Sequence, residues 1–210
     1  MKKINKSFLC ILMLCASVMF ISMPSFAAID PVNQLNSIAN QLINKLKANK
    51  STLRNNPNYV YSVAYQVVVP HAAIDEMAKR VLPPQTWNSA TPSQRSQFSK
   101  QFTTMLVHTY ASALADYNDQ VIHFYPVRGG YQGRNTVQVN SSIERTDGPA
   151  ISVNYSLVLR GSQWKLYDLS VEGVSMLESF RSQFADSLSK GDIQNLIQEL
   201  AAHNRSGSRN

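Results

Sequence analysis

Apolar positions recur at helical spacing through the first half of the chain and then switch to alternation. After Pro31, the residues Val32, Leu35, Ile38, Ala39, Leu42, Ile43 and Leu46 share one face, with Asn, Gln and Lys opposite. This predicts an amphipathic helix packed on a core, and proline suits its first turn. Asn55-Asn56-Pro57 breaks the pattern. In 58–69, Val60, Val63, Ala64, Val67 and Val68 fit a helix while the Val and Tyr content favours a strand. Ile74, Met77, Ala78, Val81 and Leu82 predict a short helix closed by Pro83-Pro84, with Trp87 just beyond as an apolar plug. Thr91-Pro92-Ser93-Gln94 is a capping box. It opens the longest helix, whose stripe is Phe98, Phe102, Met105, Leu106, Thr109, Tyr110, Ala113, Leu114 and Tyr117.

Beyond Asn118-Asp119 the period becomes two. Strands are predicted over 121–125, 136–143, 151–160 and 164–172, joined by the glycine-rich 126–133, by Asp147-Gly148-Pro149 and by Gly161-Ser162. Short links make these four strands an antiparallel meander with one apolar face. The last strand slips phase between Leu166 and Leu169, and a bulge near Asp168 would repair the slip and bend the sheet. Gly173 ends the strand and Ser175-Met-Leu-Glu178 is a second capping box. It opens a helix bearing Met176, Leu177, Phe180, Phe184 and Leu188, stopped by Gly191. Asp192 caps a final helix with Ile193, Leu196, Ile197 and Leu200, and 203–210 reads as a polar, frayed tail. The order of elements predicts one α+β domain over 28–202, a curved four-stranded antiparallel sheet with helices on its concave apolar face.

Residues 1–27 alter the picture. Lys2, Lys3 and Lys6 precede an apolar run from Phe8 to Phe20, and Ser25-Phe26-Ala27 supplies the small residues of a secretory cleavage site after Ala27. The run is too short for a membrane span. Cys10 and Cys15 both fall inside the leader, so the exported chain would lack thiols and depend on its core. Cys15 as a lipid-anchored cysteine is disfavoured by Leu14, where a small residue is needed. Losing three lysines and no acids takes the formal charge from +7 to +4. That mild excess contains no basic run of nucleic-acid type, and it leaves anionic head groups or an acidic partner as possible contacts.

An ordered set of segments carries a family resemblance. WKLYDLSVEGVSMLESFRSQF (164–184) resembles the C-terminal signature of the MlaC (toluene-tolerance) family of periplasmic phospholipid carriers. VLPPQTW (81–87), SQFSKQFTTMLVHTYASALADYND (96–119) and ISVNYSLVLR (151–160) extend it over the mature chain in the family's order. The resemblance implies a helix over 58–69, although the Val-rich 60–69 segment departs from the usual pattern.

Catalytic and metal chemistry is sparse. His71, His108, His123 and His203 form no zinc-ligand pair, and no GxSxG elbow is present. Gly129, Gly130 and Gly133 lie between strands, which excludes a phosphate loop. One enzymatic alternative remains, a nuclear-transport-factor-like lyase or isomerase pocket with Asp168 as general base and His123 on a strand. The plainer role for Asp168 is to accept backbone donors at the bulge.

A binding role needs only the concave apolar sheet, roofed by helices rich in Phe, Met and Ala. Burying two chains of roughly fifteen methylenes gives a gross term of about 24 kcal/mol. That exceeds the practical affinity ceiling, so opening the pocket and ordering the lipid must offset part of it. The resemblance implies a glycerophospholipid cargo with acyl chains inside and head group out, in a pocket of changing volume suited to Met105 and Met176. It further implies shuttling, as a monomer without cofactor, between an inner-membrane MCE-domain ABC transporter complex and an outer-membrane lipoprotein–porin complex, maintaining outer-membrane asymmetry. Transferred to this chain, the acyl-contacting set is Val69, Met105, Tyr110, Leu114, Val139, Val153, Tyr155, Leu157, Leu166, Val174 and Phe180. Arg128, Arg134 and Arg181 are the candidates for the mouth or the docking surface.

Overall fold

A computed structural model describes residues 28–56, 58–115, 120–145 and 148–207. The predicted leader with Cys10 and Cys15, and Pro57, Tyr117, Asn118, Asp119 and Asp147, lie outside these residues.

Helix α1 (Pro31–Ala48) starts as its sequence dictates. Asp30 Oδ1 accepts the N–H groups of Val32 and Asn33 at 2.8 and 3.0 Å, with proline in the first turn. A short α2 (Lys50–Asn55) leads to α3 (Tyr59–Val67). The ambiguous Val-rich segment is therefore helical. Val60, Val63, Ala64 and Val67 recur on one helix face and are buried, packing with Leu46 of α1 and with Val107 and Ala111 of α6 (Pro92–Ala115). Burial on neighbouring helices overrides the strand preference of valine. A 3₁₀ turn (Val69–His71) follows, then α4 (Ile74–Val81) and α5 (Pro84–Ser89). The one-turn α5 is more order than the Pro-Pro signal predicts. It begins on Pro84, and it seats Trp87 under the Arg95 guanidinium, 5.1 Å from the ring centre.

The capping box that opens α6 is reciprocal, with Gln94 N–H donating to Thr91 Oγ1 and Thr91 N–H to Gln94 Oε1. Phe98 and Phe102 of α6 are fully buried against Phe180 and Phe184 of α7 (Met176–Lys190). Edge-on contacts at 5.4–5.9 Å between ring centres join the two pairs. Such pairs add about 0.5–1.5 kcal/mol each beyond the area they bury. Leu196, Ile197 and Leu200 of α8 (Ile193–Gly207) complete this core with Met77, Ala78 and Val81 of α4.

The sheet runs in the order β1 (Ile122–Phe124), β2 (Thr136–Ile143), β3 (Ile151–Arg160), β4 (Gln163–Val171) and β5 (Val174–Ser175), each antiparallel to its neighbour. The four expected strands are present, and β5 adds a two-residue fifth. Leu157 pairs with Leu166, but Ser156 pairs with Asp168, so Tyr167 is the inserted residue of the expected bulge. The insertion keeps Trp164, Leu166, Leu169 and Val171 on one face. Glu172 and Gly173 both have positive φ (51° and 82°), the turn that matches the right-handed strand twist in a two-residue hairpin. Gly173 thus turns the strand back on itself before α7 begins. Gly191 is extended (φ −161°), so its place after α7 does not depend on glycine's conformational freedom.

Residues 208–210 lie outside the described residues, and the described part of the tail differs from expectation. Residues 203–207 continue α8, because buried Asn204 donates to the Gln101 backbone carbonyl and side chain on α6, at 2.9 Å each.

Candidate functional site

The concave sheet face is not filled by side chains. Between it and α1 lies a cavity of about 490 Å³, within the range of small-molecule sites. Its sheet wall is Ile151, Val153, Tyr155 and Leu157 of β3, with Trp164, Leu166, Leu169 and Val171 of β4 and Ile122, Phe124 and Ile143 of β1 and β2. Its opposite wall is the apolar stripe of α1, comprising Pro31, Leu35, Ile38, Ala39, Leu42, Ile43 and Leu46. Val68, His71, Tyr110, Leu114 and Gln120 close the sides.

Burial grades along the cavity. Trp164 and Leu157 at one end are 1% and 2% exposed, whereas Val171 at the other is 42% exposed, beside Val174 at 65% and Val121 at 50%. The closed end is tied down at several points. Trp164 Nε1 donates to the Ile29 carbonyl at 2.8 Å, and the Gln34 side chain accepts from Trp164 N–H at 3.0 Å while donating to Trp164 C=O at 2.6 Å. Tyr131, from the glycine-rich connection, stacks edge-on to Trp164 with ring centres 6.5 Å apart.

Among the described residues, none that lines the cavity carries a fixed charge. His71 has its pKa lowered, first by burial and then by the Lys165 charge, which favours neutral imidazole. Burial raises the Tyr155 pKa despite a hydrogen bond from Ser141, and raises that of Tyr110, to which the Asp168 charge adds. Both phenols are neutral, so the walls offer apolar contact with a few uncharged dipoles. Among the described residues no cluster of three His, Cys, Asp or Glu is placed to hold a metal ion, and no helix is long and apolar enough to cross a membrane.

Asp168 is engaged elsewhere. Its carboxylate accepts Leu169 N–H at 2.9 Å, Leu177 N–H at 3.1 Å and Ser175 Oγ–H at 2.6 Å, pinning the start of α7 to the bulge. It is not among the residues lining the cavity. A general base needs a carboxylate free to take a proton, and this one is committed to structure. His123 pairs with Glu144 on the surface at 2.9 Å.

Of the residues expected to contact acyl chains, the structure brings Tyr110, Leu114, Val153, Tyr155, Leu157 and Leu166 to the cavity. It places the others apart. Met105 and Phe180 belong to the helical core, because the α6 stripe is core along its first turns and reaches the cavity only near its end. Val139 is fully buried in the packed part of the sheet, and Val69 packs beside the α1–α3–α6 cluster. Val174 stands exposed on the β4–β5 hairpin. The three arginines do not line the cavity either. Arg128 and Arg134 sit on the connection at the Trp164 end, away from the exposed rim, where the Arg134 guanidinium donates to Gly129 C=O at 3.1 Å. Arg181 joins Glu178 and the Arg80 carbonyl, fastening α7 to α4. The largest omission from the expected set is α1, whose stripe supplies a full cavity wall. Its spacing was legible, but an amphipathic helix over a filled core and one over a void have the same period.

Comparison with known proteins places this geometry. Residues 36–202 match the family model described as MlaC protein. The chain is 29% identical over 164 residues to the toluene tolerance protein Ttg2D of Pseudomonas putida, covering 78% of this chain and 75% of that protein. It is 25% identical over 198 residues to the intermembrane phospholipid transport system binding protein MlaC of Haemophilus influenzae, covering 93% and 92%. The fold is similar to a phospholipid-binding protein from Ralstonia solanacearum, solved in complex with a phospholipid. The TM-score is 0.77 at 26% identity, over 86% of this chain and 99% of the other.

Proposed function

The chain belongs to the MlaC family, and from that premise we propose that it is a periplasmic carrier of glycerophospholipid. The observation that carries the reading is the uncharged cavity between α1 and the curved sheet, open at one end and closed at the other. Acyl chains enter it and leave water, at about 0.8 kcal/mol per methylene. The phosphate stays outside, because an ionised group cannot be moved into an apolar cavity without a paired charge, and the described wall residues supply none. Covalent chemistry has no place in this scheme, since the lipid leaves as it came. The similarity to an intermembrane transport binding protein and to a phospholipid complex supports the same cargo.

The carrier exchanges its lipid by collision with an inner-membrane MCE-domain transporter complex and an outer-membrane lipoprotein–porin complex, and so serves outer-membrane asymmetry. Transfer of labelled phospholipid from donor to acceptor vesicles, separated by sedimentation, tests the reading. The mature protein should raise the transfer rate in proportion to its concentration; a rate equal to that of buffer contradicts it.

A further inference from the structure

We propose that Trp164 is the floor of the cavity and sets the longest acyl chain the protein accepts. The inference rests on the phospholipid-carrier reading. A chain whose head group stays in water enters with its terminal methyl first, so the side chain closing the far end decides where it stops. From Ile151 at the rim to Leu157 the β3 wall spans about 20 Å at ~3.3 Å per residue. Trp164 lies one strand over from Leu157 at that deep end, 1% exposed, with the chain-facing wall passing Leu166 and Leu169 toward Val171.

The floor is dry and rigid for reasons visible in its bonds. The indole N–H is spent on the Ile29 carbonyl, and Gln34, itself on the wall, spends its amide on the Trp164 backbone. The indole has no free donor left and both polar atoms of the Gln34 amide are engaged, so the end selects for hydrocarbon. Tyr131 packs against the indole and does not line the cavity, so it stands behind the floor. Gly129 and Gly130 (φ +73° each) shape the connection that carries Tyr131 there, a conformation L side chains rarely adopt. With Ile29 and Tyr131 holding the indole and Gln34 holding its backbone, the floor stays in place, and a longer chain must leave methylenes at the mouth in water. Each such methylene disfavours the longer lipid by about fourfold.

The test loads the mature protein from vesicles of phosphatidylcholines mixed in equal amounts over a range of acyl lengths. The protein is re-isolated and its lipid extracted and sized. The wild type should show a sharp upper limit. Trp164→Leu should extend that limit by about two methylenes, enriching the longer species by roughly an order of magnitude. Leu35→Trp, which adds bulk from α1 at the same end, should shorten it. If Trp164→Leu fails to fold by circular dichroism, Leu35→Trp decides alone. Folded variants with the wild-type distribution overturn the floor assignment and leave the carrier reading intact, whereas a wild type that takes up no phospholipid overturns both.

Discussion

Asp168 shows how a residue with catalytic potential becomes structural through its neighbours. Its three donors come from the bulge, the α7 cap and the first turn of α7, so one carboxylate joins the bend in the sheet to the start of the helix. Replacing it with Asn keeps the shape, removes the charge and puts an amide N–H where the carboxylate accepted the Ser175 hydroxyl. Charge-assisted bonds of this kind are worth about 1.5–3 kcal/mol each before relaxation. The Asp168→Asn variant should therefore lose about 1–3 kcal/mol in urea denaturation while transferring lipid at the wild-type rate per folded molecule. Normal stability with abolished function would restore a chemical role for this carboxylate. The sequence already pointed to the bulge, because Leu166 and Leu169 cannot share a face of a regular strand. The hairpin beyond it was not legible, since its first positive-φ position holds Glu172 in place of the usual Asn, Asp or Gly.

At the scale of elements, α1 and α6 divide the labour in a way that periodicity does not encode. Leu35, Ile38, Ala39, Leu42 and Ile43 of α1 remain half-buried because they face the cavity. The apolar residues early in α6 are fully buried, and of its described residues Tyr110 and Leu114 reach the cavity. A sequence stripe reports which face is apolar but not what lies opposite, so it does not distinguish Met105 and Phe180, in the helical core, from the α1 stripe on the cavity. Along the strands alternation fixes the inward face, and Val153, Tyr155, Leu157 and Leu166 line the cavity on that face. Ile38→Asp on α1 tests the division. It should cut lipid loading at least tenfold at a stability cost of about 1–2 kcal/mol, because Ile38 is half-buried and only edges the α1–α3–α6 cluster. Phe102→Ala should instead cost about 3–5 kcal/mol. A large loss of stability in the Ile38 variant would mean that α1 packs on a filled core.

For the whole molecule, the division of burial sets the function. Stability resides in the packed core of α4, α6, α7 and α8, which meets the sheet through Tyr167 at the bulge. The α1 side of the sheet is left open at one end and unfilled, and this arrangement leaves room for a ligand without dismantling the core. Native mass spectrometry of the mature protein from the periplasm, with lipid extracted from the same preparation, bears on this most directly. The account predicts a complex heavier than the polypeptide by the mass of whole phospholipid, in stoichiometric amount and released on unfolding. A protein that flies at its polypeptide mass alone, and stays so after incubation with phospholipid vesicles, would contradict it.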